Sequence, residues 1–470
     1  MTNATRTPNQ EISTWLDTVG TDAPLQHSNP ASLYLASLQG SEASRTTARS
    51  VMKQIIQLAL EGFAMTTQYF DVAIVGAGAA GIATAASLKK RQRHLSVVLI
   101  DPAETHYYQP GWTMVGGGVF QAPSTARSTA SVVPKNVDWI QRSVSHFQPD
   151  DNVLSLEDGG TVCYEQLVVA PGLALDWSGV EGLTENLGRN GVTSNYAYHT
   201  APYTWELVQN LKSGTALFTQ PPMPIKCAGA PQKALYLSAD HWRRQGCLQS
   251  IDVEFCTSTP GLFGVADYVP ALMEYIDRYG VQLNFQTTLT RIDGEQKIAT
   301  FTGPDGECEK SFDMIHVCPP QRAPDFVRHS PLSDEQGWVD VDQATLQHKR
   351  FSNVWSCGDV MSTPNAKTAA AARAQAPVVA TNLIAHRAGH QQLARYNGYG
   401  SCPLTVERGK IVLAEFGYGG TLLPTFPKGI LNGLRPTRLA WHLKADLLPW
   451  IYWNGMLKGR EWLARPEIQQ

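Results

Sequence analysis

Residues 71–81, Asp-Val-Ala-Ile-Val-Gly-Ala-Gly-Ala-Ala-Gly, constrain this chain more than any other stretch. An apolar run passes straight into a Gly-x-Gly-x-x-Gly turn and then an alanine-rich segment, an order that predicts strand, phosphate loop and helix. Gly76 permits the tight turn, Gly78 lets the backbone approach a pyrophosphate, and Gly81 lets the helix pack closely on its strand. The amides of Ala79 and Ala80 at the helix start face the anion. Roughly twenty residues on, the apolar strand 97–100 ends in Asp101, placed to accept hydrogen bonds from a ribose. The pattern predicts a dinucleotide site; the competing reading is a glycine turn in an ordinary βαβ unit.

A second signal lies far along the chain. Residues 353–360 form an apolar strand ending in Gly358-Asp359, followed by Lys367, Thr368 and another alanine-rich helix. Asp359 suits a ribityl hydroxyl, and a helix N-terminus with Lys367 suits negative charge on a reduced isoalloxazine. Paired with the first glycine loop, this makes FAD the expected cofactor. Between the two, residues 106–118 are rich in aromatics and glycine and include Gln109 and Trp112. They suit a loop lying along a flat ring system or, alternatively, a buried aromatic cluster. Ala170-Pro171-Gly172 closes the β-like run 165–170 and turns back toward the cofactor.

A second α/β unit is expected from Gly214, with strands at 215–219 and 250–256. In a two-dinucleotide flavoenzyme the loop 220–231 would hold the nicotinamide phosphates, yet it lacks the glycine triplet, and Cys227 stands there instead. A helix starts at Pro231, a residue suited to the first helical turn. A thiol just ahead of a helix N-terminus and beside Lys226 favours the thiolate and becomes nucleophilic at neutral pH. The plainer alternative is a small buried apolar residue. Cys163, Cys247, Cys256, Cys308 and Cys402 lack such a setting and read as packing residues.

The 38 Lys and Arg against 41 Asp and Glu give a net charge of -3, which points to no polyanionic partner and no nucleic acid. Eight scattered cysteines without metal-ligand spacing argue against a disulfide scaffold and against a metal site. No apolar run reaches the length of about eighteen residues that spans a bilayer. The expected organisation is an α/β chain with two Rossmann-like domains: an extension at 1–64, an FAD-binding domain at 65–175 and 321–395, a second domain carrying the cysteine at 176–320, and a C-terminal region at 396–470. The first thirty residues read as disordered, and two short helices follow before Met65, a natural start for the rest. Glu11, Asp17, Asp22 and Glu42 argue against a transit peptide, and no apolar core suggests a secretory signal.

In the C-terminal region, residues 401–404 and 411–418 read as a small β unit. Residues 439–448 and 449–463 read as two short helices broken by Pro449. Four of the twelve tryptophans fall here among Lys444, Lys458 and Arg460, a pattern suited to the plane of a membrane surface. Packing on the protein's own core or a homodimer interface is the alternative.

Residues 107–113 (Tyr-Tyr-Gln-Pro-Gly-Trp-Thr), 224–233 (Pro-Ile-Lys-Cys-Ala-Gly-Ala-Pro-Gln-Lys) and 367–371 (Lys-Thr-Ala-Ala-Ala) resemble the sulfide:quinone oxidoreductase family, in particular its mitochondrial branch. The resemblance runs from about residue 69 to the C-terminus. It implies a flavoprotein disulfide-reductase-like fold, attachment to one face of a membrane, and oxidation of sulfide to sulfane sulfur with electrons passing through FAD to quinone. A small thiol or sulfane-sulfur acceptor takes the product sulfur. In this family Gly76, Gly78, Gly81 and Asp101 match the adenine dinucleotide turn, Gln109 and Trp112 the flavin-flanking loop, and Gly358 and Asp359 the second FAD motif. Lys367 and Thr368 match positions at the pyrimidine edge, and Cys227 matches one redox cysteine. The other redox cysteine usually follows Gly-Asp directly, where this chain has Val360, leaving Cys357 and Cys318 as the candidates near motif-bearing loops. The expected location is the cytoplasmic face of a bacterial inner membrane. Residues 29–49 separately resemble the start of a tyrosine recombinase core-binding domain. Two other readings stay open: a type II NADH:quinone oxidoreductase-like flavoenzyme and a DNA-associated fusion.

Overall fold

The computed structural model describes residues 67–391 and 394–468. The expected N-terminal extension and the recombinase-like stretch lie outside the described residues. These described residues form one compact unit.

Strand β1 (Thr67–Val75) buries Val72 to Val75 on both faces, as a central parallel strand must, which is why it reads as an unbroken apolar run. It leads through the glycine turn into helix α1 (Ala79–Arg91) and on to β2 (Val97–Ile100), parallel to β1. After the aromatic loop and its short helix α2 (Trp112–Gly116), β3 (Asp138–Ile140) pairs with β2. The antiparallel strands β4 (Val144–Gln148) and β5 (Val153–Leu156) feed β6 (Thr161–Val169), which returns parallel to β1. Two positions in the turn admit no side chain. A Cβ on Gly76, whose φ is +102°, would lie 2.4 Å from the Ala170 carbonyl oxygen, and one on Gly81 would lie 1.9 Å from that of Gly76.

The second sheet is also parallel. Its strands β7 (Val192–Thr193), β8 (Gly214–Gln220), β9 (Ile251–Thr257), β10 (Gln282–Phe285) and β11 (Met314–His316) lie in the order β7-β11-β8-β9-β10. Helix α3 (Ala201–Asn210) precedes β8, α4 (Ala230–Gln245) follows it, and α5 (Val269–Tyr279) follows β9. An antiparallel meander at residues 288–311 separates β10 from β11. The chain then returns to the first sheet: β12 (Val354–Ser356) adds to the C-terminal half of β6, and α6 (Ala369–Arg387) packs on α1. Alanine dominates both helices, so their backbones approach closely. A hairpin, β13 (Gly400–Glu407) and β14 (Lys410–Phe416), supplies the expected small β unit and packs on α4.

The C-terminal segment departs from its sequence reading. Pro449 does not break the helix: it sits in the first turn of α7 (Leu448–Asn454), where no intrahelical N–H is needed. The turn before it, Leu443–Leu447, widens to π geometry, which relieves the clash a proline ring makes with the preceding turn. The segment docks on the aromatic loop. His106 Nε2 lies 2.7 Å from the Tyr452 hydroxyl while its Nδ1 meets the Ala77 carbonyl, so the glycine turn, the loop and α7 are pinned together. The aromatic loop is thus in part the buried cluster that was its alternative reading. Among the described residues, no helix is long and apolar enough to cross a membrane.

Because the Gly81 contact is with backbone, Gly81→Ala is expected to destabilise the protein by about 1–3 kcal/mol and to lower the flavin content of the purified protein. Thermal melts and visible flavin absorbance check this; an unchanged melt with full flavin would contradict it.

Candidate active site

The dinucleotide cradle is assembled from three chain segments. Ala170 donates its N–H to the Val75 carbonyl at 2.8 Å, and Gly172 takes a left-handed φ of +76°, so the Ala170-Pro171-Gly172 turn lies against Gly76. A Cβ on Gly358 (φ +85°) would lie 3.0 Å from the Ala80 methyl, so the second motif sits on the start of α1. Around Gly78 the space is open: a Cβ there meets nothing within 4 Å. Gly78 carries no side-chain cap, and the first amides of α1 have no acceptor within the helix. Asp101 accepts from the amides of Ala77 and Ala103, leaving lone pairs for a ribose. Asp359 has no hydrogen-bond donor on its carboxylate among the described residues, and burial raises its pKa against the pull of Lys367 and Lys226. This open glycine turn, with an unpartnered carboxylate across from it, fits FAD.

Lys367 is buried, donates to the carbonyls of Asp359 and Met361 at 2.7 and 2.9 Å, and has its pKa brought down to about 8 by burial. Its carbonyl accepts the Cys227 N–H at 2.8 Å. Thr368 caps α6 by accepting the Ala371 amide. The loop after β8 is therefore bonded to the residue that precedes the N-terminus of α6, and Cys227 is carried to that end of the helix. Cys227 itself has φ +51°, and its carbonyl accepts the Ala230 amide at 2.7 Å as α4 begins.

Two neighbours of the Cys227 sulfur were not expected. Cys402 on β13, read from sequence as a packing residue, places its sulfur 3.8 Å from that of Cys227. Gly229 permits the approach, since a Cβ there would lie 2.4 Å from a Leu404 methyl. The second neighbour is Lys233, one turn into α4, whose buried ammonium is 3.0 Å from the Cys227 sulfur. Lys226, the cation expected to activate the thiol, points elsewhere and donates to Gln109 Oε1 at 2.7 Å.

The electrostatics divide the two thiols. A hydrogen bond from Cys402 lowers the Cys227 pKa well below the ordinary thiol value; burial opposes this, and Lys233 and Lys444 add to it. Cys402 moves well up, because its S–H donates to the Cys227 sulfur and because it is buried. Burial works against the Lys233 ammonium, but the two sulfurs outweigh it and its pKa is raised. Lys444, buried in the π turn and donating to the Pro110 carbonyl at 2.9 Å, is brought down to about 7 by burial and by Lys233. Of the two sulfurs, that of residue 227 is the one whose thiolate is favoured, and that of residue 402 the one whose thiol is favoured.

The structure does not bring Cys357 to this pair. It packs in the core of the first sheet, 3.3 Å from the Thr84 hydroxyl, and burial pushes its thiol up to about 12. Cys318 shares an apolar cluster with Tyr196, Ile225 and Ala230 that touches Cys227, but its sulfur meets Pro319 and Gln321, and burial pushes it too up to about 12. Cys256 is a buried packing residue as expected, whereas Cys308 is exposed and packs nothing. Gln109 is exposed and Trp112 buried, with the Lys226 ammonium 5.7 Å from the Trp112 ring centre.

A two-sheet α/β chain with an FAD cradle and a cysteine in the second phosphate loop defines a flavin-dependent oxidoreductase of the disulfide-reductase type. Consistent with this, residues 70–209 match the model of the pyridine nucleotide-disulphide oxidoreductase family. The chain is 40% identical to the mitochondrial sulfide:quinone oxidoreductase of Dictyostelium discoideum, across 84% of this chain and 87% of that protein. It is 38% identical to the mouse mitochondrial protein of the same name, across 83% and 87%. The fold matches the crystal structure of the sulfide:quinone oxidoreductase from Aquifex aeolicus with a TM-score of 0.70 at 18% identity, covering 86% of this chain and 97% of that one. The chain belongs to the sulfide:quinone oxidoreductase family.

With Lys233 as the cation on sulfur, Lys233→Met is expected to slow alkylation of Cys227 by iodoacetamide at neutral pH by roughly tenfold or more. The wild-type rate is expected to persist to lower pH than the variant's, whose profile shifts upward by the share of the lowering that Lys233 supplies. Superimposable pH profiles for the two proteins would contradict the assignment.

Proposed function

We propose that this chain oxidises sulfide to sulfane sulfur at Cys227 and Cys402 and passes two electrons through FAD to a quinone. The observation that carries the reading is the pair of sulfurs 3.8 Å apart with a buried ammonium on one of them, in a loop bonded to the cofactor-side residue Lys367. Family membership supports it. Bonded sulfurs lie about 2.05 Å apart, so a small movement closes the pair directly or through one interposed sulfur.

The asymmetry of the pair sets the direction of attack. Hydrosulfide attacks the Cys402 sulfur of the oxidised pair, a new S–S bond forms there, and the bond to Cys227 breaks. The better leaving group is the sulfur of lower pKa, and Lys233 stabilises the thiolate that departs. Cys402 then carries the outer sulfur as a persulfide. A small acceptor thiolate takes that sulfur and leaves Cys402 reduced. Two electrons and the thiol proton then leave the Cys227 thiolate and Cys402 as their bond re-forms. When bound, FAD supplies the acceptor for that electron pair and its relay to quinone. Asp359, Thr368 and the open amides of α1 would hold the cofactor, and Lys367, through its own carbonyl, keeps Cys227 in place.

The tryptophan-bearing C-terminal segment supports attachment to the surface of a membrane, where a lipid-soluble quinone is found; the cytoplasmic face of a bacterial inner membrane is the location we propose. The loop that would bind NADH in a type II NADH:quinone oxidoreductase holds the cysteine in place of the glycine triplet, which disfavours that alternative.

Anaerobic titration of the FAD-loaded protein tests the reading. Sulfide is expected to bleach the flavin and a short-chain quinone to restore it. Cys227→Ser and Cys402→Ser should each lower sulfide-dependent quinone reduction by at least roughly a hundredfold, in line with the loss of a nucleophilic residue, with flavin still bound. Bleaching by NADH but not by sulfide would overturn it.

A further inference from the structure

A cleft of about 320 Å³ opens at the far end of α1 from the glycine turn, walled by Lys89, Lys90, Arg93, Lys135 and Lys458. No carboxylate lines it. Lys89 and Lys90 donate to the carbonyls of Leu95 and Gly459, and Lys458 reaches Asn454 Oδ1 at 3.5 Å, so none of these hydrogen-bond partners is charged, although Lys90 also interacts electrostatically with Glu461. Arg93 and Lys135 are exposed and have no hydrogen-bond partner among the described residues. Arg91, by contrast, forms a two-pronged ion pair with Glu461 and lies outside the cleft. The negative end of the helix dipole favours Lys89 and Lys90 in the last turn of α1. It does not account for Arg93, Lys135 and Lys458, which come from three further positions along the chain. Lys89 lies ten residues along α1 from Ala79, so about 15 Å of helix lies between it and the dinucleotide turn.

The same cleft adjoins an unusual surface. Lys458 follows α7, and Asn454, which accepts from it, donates to the Trp450 carbonyl. Trp450 and Trp462 are 50% and 42% exposed and stack with ring centres 5.6 Å apart, with Leu447 and Leu463 exposed beside them in sequence. Arg460 lies over the Trp462 ring at 5.4 Å. Exposed indoles next to a cation-lined cleft match the two layers of a bilayer surface: aromatic rings at the acyl boundary, ammonium and guanidinium groups at the phosphates.

We propose that this cleft binds the phosphate of an anionic phospholipid headgroup and so fixes how the C-terminal face sits on the membrane. The inference rests on the membrane-surface reading of that segment.

The test is co-sedimentation of the FAD-loaded full-length protein with vesicles of phosphatidylcholine alone and of phosphatidylcholine mixed with phosphatidylglycerol. Wild-type protein should bind the mixed vesicles more tightly, and the combined Arg93→Gln, Lys135→Gln and Lys458→Gln variant should lose roughly tenfold or more of that affinity. Its binding to phosphatidylcholine alone and its flavin content should be unchanged. A control carrying Arg142→Gln, Lys297→Gln and Lys349→Gln, the same loss of charge elsewhere, should bind as wild type. Equal wild-type binding to both vesicle types, or an equal loss in the control, overturns the cleft and leaves the membrane reading standing. No binding to either vesicle overturns both. If inorganic phosphate stabilises wild type but not the cleft variant against heat while vesicle binding is the same for the two, the cleft takes free phosphate and the lipid proposal fails.

Discussion

The hydrogen bond from the Cys227 N–H to the Lys367 carbonyl is the contact on which the site depends. Cys227 belongs to the second sheet's phosphate loop, and Lys367 to the approach to α6 in the first. One backbone bond of 2.8 Å therefore sets where the cysteine loop of one α/β unit meets the approach to α6 in the other. Because it joins main-chain atoms, it fixes the Cys227 backbone through the fold of two loops, and the sulfur then has only the χ1 rotation left. Gly229 and the left-handed Cys227 backbone complete the fit by bringing the loop down on β13.

Around that contact the protein buries charge it must balance. Lys233, Lys367 and Lys444 are all nearly inaccessible, and burial opposes the charge of each. Only Lys233 has a sulfur at hydrogen-bond distance, that of Cys227, and it alone of the three has a raised pKa. The other two rest on backbone carbonyls and fall to about 8 and about 7. Lys444 interacts electrostatically with both sulfurs, and its lowered pKa leaves its charge adjustable beside them. The C-terminal segment is part of this balance, since Lys444 is carried by its π turn.

Features written in local sequence were legible. The glycine turn, Asp101, the Gly-Asp motif and the Cys227 loop each announce themselves within about a dozen residues; the first three lie at strand ends of the first sheet, and the loop from the second sheet joins them through the Lys367 carbonyl. What escaped was encoded by distance. Cys402 sits in a strand with no adjacent cation and no helix start, and only the packing of β13 on α4 brings it to Cys227 across 175 positions. Lys233 lies six residues beyond Cys227, and a helix beginning at Ala230 turns it back toward the loop, whereas adjacency in sequence favoured Lys226. Pro449 misled for the opposite reason: a residue that breaks helices in isolation is accommodated by a π turn that sequence rules do not anticipate.

Peptide mapping of the air-oxidised protein without reduction reads the central pairing directly. The account predicts a single cross-linked species joining the peptides that contain Cys227 and Cys402, through two sulfurs or with one more between them. A link from Cys227 to Cys357 or Cys318, or both thiols recovered free after oxidation, would contradict it.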